Sequence, residues 1–252
     1  MSVRETLQAV GNGAVLGTLT LLYPPRCPLC EVPLEEDCSK GLRFVCEGCL
    51  SQIQRVMPPW CARCGDPLEE GRDLCVRCAF EKVPFECARS FGLYEGVLAR
   101  LTQRLKFQKE PALTRELAPL LAQALEQEGL FQCIEGITFV PMSRRSLWAR
   151  GFNQSQLLAQ RLGALVDKPV FATLWKHRET RPQVELSGQE RLENLRGAFA
   201  PLRPAQCERI LLIDDVYTTG ATTTECSRAL QSAGYPHVYV LTLARAPISS
   251  GR

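Results

Sequence analysis

The stretch that decides the fold runs from Arg209 to Leu230 and reads RILLIDDVYTTGATTTECSRAL. Its apolar run, Ile210 to Ile213, ends at two aspartates, and a loop of small residues then leads into a helical pattern. An unbroken apolar run between polar residues is typical of a strand that is buried on both faces. The sequence therefore predicts a strand, a short loop and a helix, which together present backbone N–H groups to an anion.

The polar residues of this stretch indicate a ribose phosphate as the ligand. Asp214 and Asp215 follow the apolar run directly, at the edge where open α/β sheets bind their ligands. Carboxylates there can accept hydrogen bonds from a sugar diol or hold a divalent cation. The loop can bind the phosphate, because hydroxyls donate hydrogen bonds and a glycine lets the backbone approach closely. The predicted loop contacts are Thr218, Thr219, Gly220, Ala221 and Thr222.

The length and composition of the chain predict a folded protein with one large core and a small additional module. The chain has 252 residues, of which 45% are hydrophobic and 23% charged. The net charge of +3 is too small to indicate nucleic-acid binding by itself. The apolar residues 14–22 lack the cleavage site of a signal peptide and are too few to span a membrane. We therefore expect a cytoplasmic protein without a membrane span, in which residues 1–23 form a helix.

Eight of the thirteen cysteines form four C-x-x-C pairs, which indicate two metal sites. Each pair can present two thiolates to one tetrahedral metal, whereas a disulfide scaffold would need a secretory signal. Fifteen residues separate the first two pairs and ten separate the last two, which favours sequential pairing, although a cross-braced pairing stays open. Zinc is preferred over an iron–sulfur cluster because ferredoxin-like spacings are absent. The predicted ligands of two structural zinc ions, in two ribbons within residues 24–88, are Cys27, Cys30, Cys46, Cys49, Cys61, Cys64, Cys75 and Cys78.

A second anion site is predicted where the apolar run Ile137 to Val140 ends. Ser143, Arg144 and Arg145 lie in the polar segment that follows this predicted strand, and Arg150 comes soon after. Arginines directly after a strand favour contacts with phosphate oxygens over a purely solvated role.

The rest of the chain predicts an α/β domain at residues 89–246, followed by a disordered tail at residues 247–252. Strands and helices alternate from residue 90 onward, which is typical of a parallel sheet that is covered on both faces. Lys106 and Lys109 follow a predicted helix, and we expect them to be solvated, with the ligand cleft as the alternative. Residues 176–197 are charged and poor in apolar side chains, which suits a segment that orders over a ligand and contains a short helix near residues 187–194.

The sequence DDVYTTGAT, residues 214–222, resembles the ribose-diphosphate site of the type I phosphoribosyltransferases. Together with the four cysteine pairs and VPMSRRSLWARGFNQS, residues 140–155, it narrows the resemblance to the ComF/GntX family and extends it over nearly the whole chain. The resemblance implies a Rossmann-like type I phosphoribosyltransferase fold with a parallel sheet, preceded by an N-terminal double zinc ribbon. It also implies that the segment Ser143 to Arg145 approaches the diphosphate. Tyr217 departs from the family, which often has a β-branched or small residue there, and we expect it to leave the loop undisturbed.

Two functions follow from these residues and from the resemblance. The first is a phosphoribosyltransferase that binds phosphoribosyl diphosphate with Mg²⁺, uses Asp214 and Asp215 as catalytic residues, and is linked to the uptake and use of external DNA. The alternative is a non-catalytic module that binds a ribose phosphate or single-stranded DNA. Its zinc ribbons would then dock single-stranded DNA or a competence-protein partner. The acceptor substrate and the oligomeric state stay open.

Overall fold

The computed structural model describes residues 25–34, 44–180 and 188–246. The chain divides into two compact units, residues 1–52 and residues 53–252. The predicted helix at residues 1–23 and the predicted tail at residues 247–252 lie outside the described residues. Within the described ranges, no helix is both long enough and apolar enough to cross a membrane.

A parallel sheet of four strands forms the centre of the larger unit. Its strands are β1 (Cys87–Leu93), β2 (Gly136–Phe139), β5 (Arg209–Tyr217) and β6 (His237–Arg245), while β3 (Leu174–Lys176) and β4 (Phe199–Pro201) form a separate antiparallel pair. The strand order is β1-β6-β5-β2, so β5 has an interior position. Ile210 to Ile213 of β5 are fully buried, as their apolar run predicts.

The α-helices of the described residues are α1 (Glu47–Leu50), α2 (Val76–Phe80), α3 (Gly96–Phe107), α4 (Thr114–Gln127), α5 (Arg144–Arg150), α6 (Gln154–Val166), α7 (Gly188–Leu195) and α8 (Ala221–Ser232). Helices α4 and α6 pack against each other and on the sheet, and α8 packs on the sheet and on β4. The predicted α/β fold with a parallel sheet is therefore confirmed. The predicted short helix near residues 187–194 is α7.

The segment between α6 and β3 runs beside β2 but contains little regular strand. Only Leu174–Lys176 is a strand, and Val170 forms a single parallel bridge with Ile137. The Thr138 hydroxyl lies 2.7 Å from the Thr173 hydroxyl and donates to the Phe171 carbonyl at 2.9 Å. The segment is thus joined to β2 by these side-chain hydrogen bonds and by two backbone hydrogen bonds at Ile137, and it forms no continuous strand ladder with β2.

The core of the larger unit includes the second group of cysteines. Ile210 and Leu212 belong to one cluster of buried residues with Val238 and Val240, and the same cluster contains Cys61, Cys64, Cys75 and Cys78. Because side chains alternate along a strand, Ile210 and Leu212 share one face of the sheet. The second ribbon therefore contributes to the hydrophobic core of the sheet-bearing unit.

Candidate functional site

The two predicted acids lie at the C-terminal end of β5, and helix α6 supplies a hydrogen bond to each. The Ser155 hydroxyl donates to Asp214 Oδ1 at 3.0 Å, and Gln154 Nε2 donates to Asp215 Oδ2 at 2.9 Å. The Asp215 N–H also donates to Asp214 Oδ1 at 2.9 Å. All four side chains are buried. Two neighbouring residues of one helix thus hold two neighbouring carboxylates of one strand.

Asn153 determines where α6 begins. Its side-chain oxygen accepts hydrogen bonds from the N–H groups of Ser155 and Gln156, at 3.0 and 3.3 Å, which caps the helix. Its Nδ2 donates to the Val140 carbonyl at 3.0 Å. Because Val140 directly follows β2, and β2 pairs with β5, this cap attaches the helix to the same edge of the sheet as the acids.

Lys106, near the end of α3, forms an ion pair with the acid site. Its Nζ lies 2.9 Å from Asp215 Oδ1, so the prediction that Lys106 is solvated is wrong. Burial by itself lowers the pKa of Lys106, but the charge of Asp215 and its hydrogen bond outweigh burial, and the net pKa is raised. Lys106 therefore remains a cation beside the carboxylate, which agrees with the alternative that this turn faces the ligand cleft.

Arg150 fixes the orientation of the Gln154 amide. Its Nη1 donates to Gln154 Oε1 at 2.5 Å, which leaves the amide nitrogen to donate to Asp215. The Arg150 guanidinium also lies 5.8 Å from the centre of the Phe107 ring. Asp215 is therefore held from two sides, by Lys106 directly and by Arg150 through Gln154.

Asp214 has an environment that favours its neutral form. Burial, followed by the charge of Asp215, raises the pKa of Asp214 to about 7. The nearby Lys106 charge and the Ser155 hydroxyl act in the opposite direction but only partly compensate. The charge of this carboxyl group is consequently sensitive to pH in the neutral range.

The loop after β5 adopts the predicted strand–loop–helix arrangement. Gly220 precedes α8 with a φ of 77°, a left-handed conformation that favours glycine. A Cβ at Gly220 would lie 2.3 Å from the Tyr217 hydroxyl oxygen, so the buried tyrosine leaves no space for a side chain there. Thr218, Thr219 and Thr222 are partly exposed along this turn, while Ala221 is buried.

The segment predicted to approach a diphosphate starts a helix at the end of β2. Ser143 caps α5 by accepting a hydrogen bond from the Ser146 N–H at 3.2 Å. Arg144 and Arg145 lie in the first turn of α5 and are exposed. Because β2 and β5 are parallel neighbours, the two predicted anion sites follow adjacent strands at the same edge of the sheet.

The eight cysteines of the C-x-x-C pairs form two groups of four, as sequential pairing predicts. The four sulfur atoms of each group lie within 4.8 Å of one another, which excludes the cross-braced alternative. The Sγ atoms of Cys27 and Cys49 are 3.8 Å apart, and those of Cys64 and Cys75 are 3.6 Å apart. Four thiolates bound to one zinc ion at about 2.3 Å would be about 3.8 Å apart. The residues therefore fit two structural zinc sites.

Sequence reasoning missed the residues that surround the acids. Gln154 and Ser155 belong to the RGFNQS sequence that carried part of the family resemblance, but no role was predicted for either residue. Lys106 was named but expected to be solvated. One feature of the sequence could have indicated these residues. Asn153 to Ser155 are polar but stand at the start of a helix face that is otherwise apolar. Polar groups buried on such a face normally have hydrogen-bond partners.

Comparisons with known proteins find similarity both in the cysteine-rich segment and over most of the chain. Residues 18–79 match the family described as a double zinc ribbon domain. The chain is 34% identical over 180 residues to competence protein F of Haemophilus influenzae, covering 68% of this chain and 78% of that protein. It is also 34% identical over 233 residues to the DNA utilization protein YhgH of Salmonella typhimurium, covering 89% of this chain and 99% of that protein.

Among solved structures, a purine phosphoribosyltransferase from Pyrococcus horikoshii aligns with a TM-score of 0.35 and 18% identity. The alignment covers 56% of this chain and 77% of that chain.

Proposed function

We propose that this chain, which belongs to the family of competence protein F and the DNA utilization protein YhgH, is a phosphoribosyltransferase that binds phosphoribosyl diphosphate with Mg²⁺. The single observation that supports this proposal most strongly is the pair of buried acids near the end of β5, two residues before the glycine-containing loop that leads into α8. Carboxylates suit ribose hydroxyls and hard cations, and the loop suits a phosphate. The names of the relatives add a link to competence and DNA utilization, which we extend to this chain as part of the proposal.

In this proposal, the loop from Thr218 to Thr222 holds the 5′-phosphate of the substrate. Its amides and hydroxyls donate hydrogen bonds to the phosphate oxygens. Asp214 and Asp215 accept hydrogen bonds from the ribose hydroxyls or from water on the Mg²⁺ that the substrate brings. The Mg²⁺ neutralises charge on the diphosphate.

Arg144 and Arg145 are proposed to stabilise the departing diphosphate. During transfer, the bond from C1′ to the diphosphate oxygen breaks, the diphosphate keeps the electron pair, and a nucleophilic atom of the acceptor bonds to C1′. Negative charge develops on the leaving group, and two exposed guanidinium groups at the same sheet edge are suited to meet it. The protein then acts mainly by positioning the substrate and neutralising charge.

Lys106 is proposed to reduce the negative charge of the acid site. Its ion pair with Asp215 offsets part of the negative charge of the acids before an anionic substrate arrives. Without it, the uncompensated carboxylate of Asp215 would repel the diphosphate. Arg150 and Gln154 keep Asp215 in place while the substrate competes for Lys106.

The proposal is tested by titrating phosphoribosyl diphosphate in the presence of Mg²⁺ into the zinc-loaded protein, with calorimetric detection. We expect binding to the unaltered chain and a loss of about 10- to 100-fold in affinity for Asp214→Asn and for Asp215→Asn, because each replaces one oxygen acceptor of a carboxyl group with an amide nitrogen that can only donate. Asp167→Asn makes the same chemical change at an exposed position after α6 and should leave affinity unchanged. Absence of binding by the unaltered chain would contradict the proposed ligand.

Turnover is tested separately by measuring diphosphate release with purine, pyrimidine and other nitrogen-containing acceptors. Release that depends on an acceptor would support transfer. Binding without release under every condition would favour the non-catalytic alternative, in which the site holds a ribose phosphate.

A further inference from the structure

The loop that is proposed to hold the phosphate is contacted by an arginine of the second zinc ribbon. Arg77 lies in α2, between the ligand cysteines Cys75 and Cys78. Its Nη1 donates a hydrogen bond to the Thr219 carbonyl oxygen, and its Nη2 donates to the Tyr217 hydroxyl at 3.2 Å. One ribbon side chain therefore holds the loop at two points, 140 and 142 residues away along the chain.

The contact with Thr219 affects the amide that follows it. A peptide unit is planar and trans, so its C=O and N–H groups point in opposite directions. When Arg77 holds the Thr219 carbonyl on the ribbon side, the Gly220 N–H is turned away from the ribbon. Among the described residues, no acceptor is found for this N–H, which leaves it able to donate to a bound anion.

A second arginine connects the second cysteine group to Tyr217, the residue directly before the same loop. Arg245, at the end of β6, is fully buried, and its guanidinium lies 4.6 Å from the centre of the Tyr217 ring. It donates to the Cys64 carbonyl at 2.6 Å and to Asp66 Oδ1 at 3.1 Å. Cys64 belongs to the second cysteine group, so the position of the Tyr217 ring depends on the shape of the second ribbon.

Tyr217 in turn limits the conformation of the loop. Its hydroxyl oxygen occupies the space that a Cβ on Gly220 would need. The tyrosine that departs from the family pattern is therefore a structural link between ribbon and loop, with Arg77 on its hydroxyl and Arg245 on its ring.

We propose that Arg77 is a positioning residue for the phosphate end of the ligand, and that the second zinc ribbon is thereby part of the ligand site. The chemical class of the ligand, a ribose phosphate monoester, rests on the proposed function. Zinc at the second cysteine group then supports ligand affinity, because the metal fixes the short helix that carries Arg77 and the turn that anchors Arg245.

The first experiment measures two partial ligands separately by calorimetry on the zinc-loaded chain. Ribose 5-phosphate reports on the loop, and inorganic diphosphate with Mg²⁺ reports on the end near Arg144. We expect Arg77→Ala to weaken ribose 5-phosphate binding about tenfold or more while diphosphate binding stays within about twofold. Arg77→Lys should recover part of the loss, since a lysine can donate to one of the two acceptors.

Arg63→Ala is the matched control on the same ribbon. Arg63 donates to the Cys78 carbonyl at 3.2 Å, within the ribbon itself. We expect ribose 5-phosphate affinity to be unchanged in this variant. An equal loss of both partial ligands in Arg77→Ala, or no loss of either, would overturn the proposal, as would an Arg63→Ala variant that matches Arg77→Ala.

A second measurement does not depend on the identity of the ligand. Hydrogen exchange of the peptide that spans residues 217–224 is compared in the unliganded wild-type chain and in Arg77→Ala. Faster exchange in the variant, with unchanged exchange in β2, is expected if Arg77 holds the loop. Failure of the unaltered chain to bind either partial ligand would contradict the proposed function, whereas unchanged loop exchange would contradict the role of Arg77.

Discussion

The two zinc ribbons share one backbone pattern and differ in what surrounds them. In both, the residue after the second cysteine has a positive φ, 62° at Glu31 and 72° at Gly65. A Cβ at Gly65 would lie 2.5 Å from the Ala88 carbonyl oxygen, whereas Glu31 is exposed to solvent. The same turn therefore accepts a side chain in the first ribbon and excludes one in the second, because β1 packs against the second.

The burial of the cysteines differs in the same way. All four cysteines of the second group are buried, whereas Cys30 of the first group is exposed and Cys46 is half-buried. The spacing of a C-x-x-C pair is thus sufficient to build the metal-binding turn. Packing against the sheet determines whether that turn also becomes part of a domain core.

The largest expected effect comes from removing each metal site in turn. Cys64→Ser combined with Cys75→Ser should lower the thermal unfolding transition of residues 53–252 by on the order of 10 °C or more, because these residues lie in the core of that unit. Scanning calorimetry measures the transition, and zinc content should fall from about two to about one per chain.

Cys30→Ser combined with Cys46→Ser is the control for that experiment. The same loss of one zinc is expected, with the transition of the larger unit shifted by no more than about 2 °C. Equal shifts for the two double variants would contradict the distinction between the ribbons.

A smaller effect on stability is expected at Gly65, in the turn that follows Cys64 of the second ribbon. Gly65→Ala should reduce the free energy of unfolding by about 2 to 4 kcal/mol, because alanine is strained at a φ of 72° and its Cβ meets the Ala88 carbonyl oxygen. Glu31→Ala, at the equivalent position, should change stability by less than about 0.5 kcal/mol. Urea denaturation of both variants measures the difference, and similar values would mean that β1 does not restrict the second turn.

The rate of zinc release should also separate the ribbons. With excess chelator under native conditions, we expect two phases, with the first ribbon losing zinc about tenfold or more faster because one of its thiolates is exposed. Cys30→Ser should abolish the fast phase and leave the slow one. A single phase that accounts for two zinc ions would show that burial does not protect the second site.

The last expected effect is a pH response that belongs to the end of β5 and to neither ribbon. Burial and the charge of Asp215 raise the pKa of Asp214 from 3.8 to about 7. Between about pH 4 and pH 7 the folded chain then keeps a proton that the unfolded chain has released, so stability falls as pH rises through this window. Asp214→Asn should flatten that slope in urea denaturation from pH 5 to pH 8 with zinc bound, and parallel slopes would contradict the raised pKa.

Much of the fold and part of the site could be predicted because the relevant patterns are local. The apolar run Ile210 to Ile213, the small residues after it and the C-x-x-C spacings each predict a conformation from neighbours in sequence. Lys106 could not be assigned in this way, because it lies on helix α3 whereas its partner Asp215 lies on strand β5, far away along the chain. An exposed lysine at a helix end has the same local pattern. Gln154 and Ser155 could not be assigned a role for the same reason, because their partners Asp215 and Asp214 lie on β5.

The sequence by itself determined the eight cysteines of the two metal sites, the parallel sheet and the position of two acids before a loop of small residues, since spacing and hydrophobic period specify these within short segments. Only the tertiary structure decided that the second ribbon enters the core, that Lys106 neutralises Asp215, and that Arg77 and Arg245 meet at Tyr217. These contacts join residues up to 181 positions apart. They depend on how the sheet and the second ribbon pack together, which no local pattern specifies.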